Sequence, residues 1–423
     1  MHYESQLNAP EKAARLAALR ALAAKPPGEQ LPGNVNNHIH TNYSFSPYSP
    51  AMALWRARQS GLVTAGIMDH DSIAGAPEFL EAGEILGMAV TCGIECRVDL
   101  KDSPWAGCRI NNPDQNGIIY MSLHGVPKRS FGLVQQFFAP YREARNRRNR
   151  RMADNINGLM ERFGISIDFD RDVLPLSMWH DGGAVTERHL VMALCRALAQ
   201  VYGRGPALLE FMERMLGLEV PEKTRQQLSD SQNPYYDYDL LGVLKGHFVQ
   251  RFYVDATDEC PPVREVLALS RRAGAVSTYP YLGDIGDSVT GDKRAQKFED
   301  DFLDDLMAYL KDLGFQAITY MPTRNTRAQL DRLRALCAKH NFFQVSGEDI
   351  NSPRQSFLCE ALKDPAFSNL IDSTWALIAH ERLSDESPEK GMFSEETAAK
   401  YPDIHERVKV FAEIGRSYTG VFY

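Results

Sequence analysis

The feature that most constrains this chain is a recurring event: a short apolar run that stops at a residue able to do chemistry. Leu62–Met68 runs into Asp69-His70-Asp71, Met88–Ile94 into Glu95, and Ile118–Leu123 into His124. Later, Ala275–Thr278 runs into Tyr279-Pro280, Ala317–Tyr320 into Met321-Pro322, and Phe342–Gly347 into Glu348-Asp349. Near-continuous apolar strands alternating with helical stretches predict parallel β/α units, because such strands are covered on both faces. Side chains that do chemistry in such folds sit at the strands' C-terminal ends. With the strand expected before His38 the count reaches about seven, so the expectation is a small or distorted α/β barrel.

Between about Val126 and Pro262 this rhythm is lost. The stretch reads as mostly helical, with apolar spacing in Val191–Leu198, and is expected to be a helical cap inserted over the barrel mouth. From about Ser352 the chain is again mainly helical. An Ala-rich helix is expected to start near Pro10 and stop before Pro26-Pro27-Gly28. The expected division is therefore an N-terminal helical extension (1–33), barrel (34–125), cap (126–262), barrel (263–351) and a helical C-terminal region (352–423).

At 423 residues with 44% hydrophobic and 24% charged side chains, the chain can bury a sizeable core without staples. A net charge of −8 provides no global attraction to nucleic acid or anionic membrane. The seven cysteines show no CxxC spacing, which argues against a disulfide framework and a zinc knuckle. No run of 18 apolar residues occurs and the N-terminus lacks a signal-peptide core, so a cytoplasmic location without membrane contact is the expectation.

His38-Ile39-His40 closes the first extended segment, and strand alternation puts both imidazoles on one face. His70, Glu95, His124 and Asp349 also fall at expected strand ends, and only 11 histidines exist in the chain. Mixed imidazole and carboxylate donors suit Zn, Mn or Fe better than Ca. The bland alternative is a barrel whose polar strand ends merely meet solvent.

The run His38-Ile39-His40-Thr41-Asn42-Tyr43-Ser44, then Met68-Asp69-His70-Asp71-Ser72, Gly93-Ile94-Glu95 and His124, resembles the PHP (polymerase and histidinol phosphatase) family in order and spacing. The resemblance runs from about Val35 to His124 and more loosely from Ala275 to Asn351. It is similar to the phosphoesterase branch, whose members also insert a helical cap, and implies a distorted (β/α)7-type barrel. By this resemblance His38, His40, Glu95 and Asp349 form a first metal site, Glu95 bridges to a second containing His124, and His70 belongs to a third.

Three positions depart from the family's pattern: Ser46 stands where an acidic or histidine ligand is usual, Tyr279 where His precedes Pro, and Asn351 where Asp-x-His closes the set. One to two divalent ions (Mn, Fe or Zn) are therefore expected, more so if Tyr279 coordinates as a phenolate. Ser46, Tyr279 and Asn351 are otherwise candidates to face substrate. The expected chemistry is metal-assisted hydrolysis of a phosphoester.

Cations for the phosphoryl group come from the cap. Arg142–Arg151 packs six arginines into ten residues, a solvated helix face from which one or two, Arg148 among them, can still reach the mouth. Glu187-Arg188-His189 resembles a cap segment that brings an Arg and a His to the substrate. Asp69 is expected to act beside the metals or to orient an imidazole, and Asp71 to begin the next helix as a cap. Cys92, Cys96, Met121 and Trp179 read as packing. The substrate implied is a small phosphorylated metabolite or nucleotide, with a short oligonucleotide as a variant. A different metal-dependent hydrolase or lyase on the same scaffold, and a non-catalytic metal- or ligand-binding member, remain the competing readings.

Overall fold

The structure, a computed structural model, describes residues 2–284 and 297–418. Seven strands form one sheet in sequence order: β1 (Val35–Ile39), β2 (Thr64–His70), β3 (Ala89–Asp99), β4 (Ile118–His124), β5 (Val276–Pro280), β6 (Ala317–Tyr320) and β7 (Phe343–Ser346). The edges nearly meet. A parallel bridge joins Ile39 to Ile350, where His40 N–H donates to the Ile350 carbonyl (2.9 Å) and Ile350 N–H to the His38 carbonyl (3.1 Å). The result is an almost closed seven-stranded α/β barrel.

One strand departs from the all-parallel expectation. β1–β3 and β5–β7 run parallel, but β4 is antiparallel to both of its neighbours. The cause is local. A parallel return needs a crossover of a dozen or more residues, usually a helix. The 18 residues between β3 and β4 contain Pro104, Pro113, Gly107 and Gly117 and form turns instead of a helix. Antiparallel pairing still sets Ser122 opposite Glu95, so His124, two residues on, shares the inward face one step below Glu95.

The helices form by ordinary local rules. Pro50–Gln59 starts with Pro at its first position and Ser49 as cap, whose hydroxyl accepts from Met52 N–H at 3.1 Å. The N-terminal helix Lys12–Leu22 docks through Arg15, whose fork grips Glu78 on the helix Ala76–Leu86 at 2.5 and 2.9 Å, both side chains 2% exposed. The helix Ser368–Glu386 closes the barrel floor: Trp375–Ala379 packs against Ala89, Val276, Ala317 and Phe343, the first or near-first residues of their strands.

The insertion between β4 and β5 begins with a 30-residue helix, Phe131–Met160, roughly 45 Å long. Its start (Phe131, Val134, Phe138) belongs to the core between barrel and outer helices. Its end (Met152, Ile156, Met160) belongs to a second core with the helices Glu187–Tyr202 and Tyr236–His247. Phe45, from the loop after β1, reaches into that second core. All seven cysteines are free thiols. No helix among the described residues is long and apolar enough to cross a membrane.

Candidate metal centre

β1 delivers His38 and His40 with their Nε2 atoms 3.2 Å apart. β3 brings Glu95 Oε2 to 3.8 Å from His38 Nε2 and 4.0 Å from His40 Nε2. These three ligand atoms lie within 4.8 Å of one another, all on buried residues. β2 adds His70, its Nδ1 3.3 Å from Glu95 Oε2 and its ring stacked on His40 at 4.7 Å. The segment after β7 adds Asp349, Oδ1 at 3.2 Å from His40 Nε2. His124 lies below with a buried Nε2 that has no hydrogen-bond partner among the described residues.

The hydrogen bonding of His40 fixes its useful nitrogen. Asp69 accepts from Thr41 N–H (2.7 Å), the Thr41 hydroxyl (2.6 Å) and the Ser44 hydroxyl (2.7 Å). Ser44 Oγ has one proton and gives it to Asp69, so toward His40 Nδ1, at 3.3 Å, it can only accept. His40 therefore carries its proton on Nδ1 and points the Nε2 lone pair at His38, Glu95 and Asp349. Asp69 is buried, 1% exposed, with both carboxylate oxygens occupied by Thr41 and Ser44. It positions His40 through Ser44, the orienting one of the two roles expected for it.

Protonation states follow from burial and neighbours. Burial, reinforced by His40, lowers His38 to about 4; burial with His40 and Arg145 lowers His70 well below its ordinary value. Burial and His38 take His124 to about 3. Burial works against an ionised Asp349, but His40, His38 and Arg188 outweigh it and hold its pKa well below the ordinary value. His40 goes the other way: burial works against its charged form, but Asp349, Glu95 and Asp69 outweigh it and raise its pKa. Metal binding requires neutral imidazoles beside ionised carboxylate, so an ion entering here would displace the proton that Asp349 favours on His40. An orphaned buried Nε2 and converging lone pairs are what a divalent metal would satisfy, so the donor set fits one.

The cap meets this site through charge. Of the six arginines, Arg142, Arg145 and Arg148 turn inward at i, i+3 and i+6, while Arg147, Arg150 and Arg151 stay exposed. Arg145 pairs with the carboxylates of Asp71 and Glu187. Arg148 donates to Glu259 (2.5 Å), to the Val254 carbonyl (2.8 Å) and to Glu187. Arg97 pairs with Glu259 and Glu187. Every nitrogen of Arg148 is engaged and its side chain is buried, which corrects its assignment as a phosphate contact. Asp71 is a network member held at φ 54°, its N–H donating to the Glu95 carbonyl (2.8 Å), and not a helix cap.

Arg188 does reach the mouth: Nη1 donates to Asn351 Oδ1 (2.5 Å), and Asn351 Nδ2 donates to Asp349 Oδ1 (2.7 Å). His189 sits nearby, but its Nδ1 accepts Thr186 N–H (3.0 Å) and burial lowers it to about 3. The ring is therefore held neutral, and it lines a cavity together with Ser46. Ser46 lines a cavity beside His189 and brings no ionisable ligand.

Tyr279 lies elsewhere. Ser122 pairs with Thr278 across β4 and β5, so Tyr279 faces outward with Met121, into the layer between barrel and helices. Its hydroxyl donates to Glu299 Oε1 at 3.1 Å. It is neither a phenolate ligand nor substrate-facing, because strand parity turns it away from the interior.

Three residues of the ionic network were not foreseen. Arg97 could have been, since period two places it on the face of Glu95. Glu187 entered only as the first residue of the Glu187-Arg188-His189 segment. Glu259 lies in a loop and carries no sequence signal.

Residues 36–173 match the PHP domain. The match spans 138 of the 423 residues. The matched region covers β1–β4 and the start of the insertion, and so contains His38, His40, His70, Glu95 and His124. A structure named as a "putative metal-dependent phosphoesterase" from Bifidobacterium adolescentis is similar at 20% identity and TM-score 0.49, covering 82% of this chain and 98% of that one. An amidohydrolase from Chromobacterium violaceum with bound sulfate and no metal is similar at 15% identity and TM-score 0.49, covering 77% and 89%. No curated protein matches significantly.

Proposed function

We propose that this PHP barrel is a metal-dependent phosphoester hydrolase acting on a small phosphorylated molecule. The observation that carries the reading is the convergence of His38, His40 and Glu95 within 4.8 Å, flanked by His70, Asp349 and the unpartnered His124. One or two divalent ions held there would supply a nucleophile from water near neutral pH and offset charge on the phosphoryl oxygens. His38, His40, Glu95 and Asp349 are the proposed first set, with Glu95 shared toward His124 and His70.

The protein's own groups supply the rest. Arg188 stands at the rim as a cation for a phosphoryl oxygen, steered by Asn351, which also steadies Asp349. The cap closes over the mouth and limits water. Small substrates suit a covered mouth better than a long nucleic-acid chain. Two departures favour a second reading, hydrolysis or elimination at a non-phosphate substrate with fewer metals: Tyr279 is absent from the interior, and Asn351 presents an amide.

Elemental analysis of protein purified without chelator tests the proposal together with an aryl-phosphate assay. One to two equivalents of metal and turnover are expected, both lost in His38→Ala/His40→Ala. Metal without hydrolysis of any phosphoester transfers the assignment to the second reading, and no metal after incubation with excess sinks both.

A further inference from the structure

β4 is buried along its length except at one residue: Tyr120, near the end that opens on the mouth, is half-buried. Strand parity puts Tyr120 on the inward face with Ser122 and His124. Ser122 stands level with Glu95 and His124 one step below, so Tyr120 stands one step above, opposite Arg97. Its ring lies 6.1 Å from that of His70, centroid to centroid. The helix Ser368–Glu386 closes the floor, so a substrate approaches the histidine cluster from the side that Tyr120 lines.

A side chain holds this residue in place. β4 pairs with β5 through Ser122, Leu123 and His124, and no further toward the mouth. Beyond that point Asn111, itself 0% exposed, stands in for the missing strand. Its Nδ2 donates to the carbonyls of Tyr120 (3.0 Å) and Pro280 (2.8 Å), and its Oδ1 accepts Tyr120 N–H (2.8 Å). An amide wedged between two strands fixes the backbone from which the phenol projects.

The phenol itself is uncommitted. The nearby Tyr253 hydroxyl accepts from Arg97 (3.4 Å), whereas the Tyr120 hydroxyl has no hydrogen-bond partner among the described residues. A phenol keeps its proton at neutral pH, and burial raises this one further, so it offers one donor. Arg97, the cation opposite it, is spent on Glu187 and Glu259. On this wall of the mouth Tyr120 is therefore the donor left over. Arg188 and Asn351 belong to the facing wall: β4 is three strands from β1 one way round and three from β7 the other, and Asn351 follows β7.

We propose that Tyr120 contacts the substrate, its hydroxyl donating a hydrogen bond to an oxygen of the anionic group held at the histidine cluster, across the mouth from Arg188. The inference rests on the hydrolase reading for the identity of that group as a phosphoryl.

The test is Tyr120→Phe, which keeps the ring beside His70 and removes only the hydroxyl. Inorganic phosphate is titrated by calorimetry into the manganese-loaded full chain, metal per chain is measured on the same samples, and kcat/KM is taken for an aryl phosphate. Loss of a hydrogen bond to a charged acceptor should weaken phosphate binding about tenfold, with metal content unchanged and kcat/KM lowered by at least that factor. Unchanged phosphate affinity in the variant overturns the inference and leaves the hydrolase reading standing. Loss of metal in the variant also overturns it, because Tyr120 would then serve His70 and not the substrate. A metal-loaded parent protein that neither binds phosphate nor turns over an aryl phosphate overturns the hydrolase reading, and the inference falls with it.

Discussion

Two clusters of buried charge lie side by side at the mouth of this barrel, and they differ in whether their partners are complete. In the cap network, Arg97, Arg145 and Arg148 face Asp71, Glu187 and Glu259, three cations against three anions, with almost every donor engaged. Burial works against the Glu187 carboxylate, yet Arg145, Arg97 and Arg148 hold its pKa well below the ordinary value. In the histidine cluster, by contrast, lone pairs converge, two Nε2 atoms face each other at 3.2 Å, and His124 Nε2 is orphaned. A saturated network reads as structure, and an unsaturated one as a place prepared for something else.

Breaking the saturated cluster should cost stability first. Arg148→Met leaves Glu259 and Glu187 buried with one partner fewer each, and a broken buried pair typically costs about 3–5 kcal/mol. Urea unfolding should show a loss of that size, with metal content in the surviving folded protein unchanged. A loss under about 1 kcal/mol would mean that Arg97 and Arg145 compensate, and that the network is redundant.

The same contrast explains what could be read from sequence. Strand-end donors are legible because a barrel gathers them whatever connects the strands: His38, His40, His70, Glu95 and Asp349 meet as their positions imply. His124 also meets them, although β4 runs backward, because parity depends on pairing and not on direction. Parity was equally able to exclude Tyr279, had Thr278 rather than Tyr279 been taken as inward, and nothing in the local sequence decides that choice. The cap is less legible. Its arginines look alike in one dimension, and only the three-dimensional positions of Glu187 and Glu259 separate the buried ones from the solvated.

Disturbing the support of the unsaturated cluster should act on metal and leave stability nearly alone. Ser44→Ala removes the hydroxyl oxygen that accepts from His40 Nδ1 and leaves Asp69 its two bonds from Thr41. Without that acceptor the ring proton is free to move to Nε2 and block the lone pair. Loss of such an orienting partner typically lowers metal affinity about 10–100-fold. Competition against a fluorescent chelator would measure it. Unchanged affinity would show that His40 is oriented by its ring stack on His70 and not by hydrogen bonding.

Tyr279 provides the smallest effect and the sharpest contrast, since it lies on the wrong side of the strand to touch either cluster. Tyr279→Phe removes one hydrogen bond to Glu299 and should cost about 1 kcal/mol with no change in metal content. Glu299 makes the cost depend on pH. Burial raises its carboxyl to about 8, so it is neutral at pH 6 and ionised at pH 9. Because the folded pKa lies above the unfolded one, stability contributed by this group is present below the ordinary carboxylate range and is lost as pH rises toward 8. The Tyr279 hydroxyl binds the ionised form more strongly than the neutral one, which limits that loss. The Phe variant should therefore be hurt more at pH 9 than at pH 6, by up to about 1 kcal/mol further, since hydrogen bonds to charged acceptors are the stronger kind. A penalty that is flat across that range would place the Glu299 proton elsewhere. A fall in metal content would bring Tyr279 back to the centre, against the parity of β5.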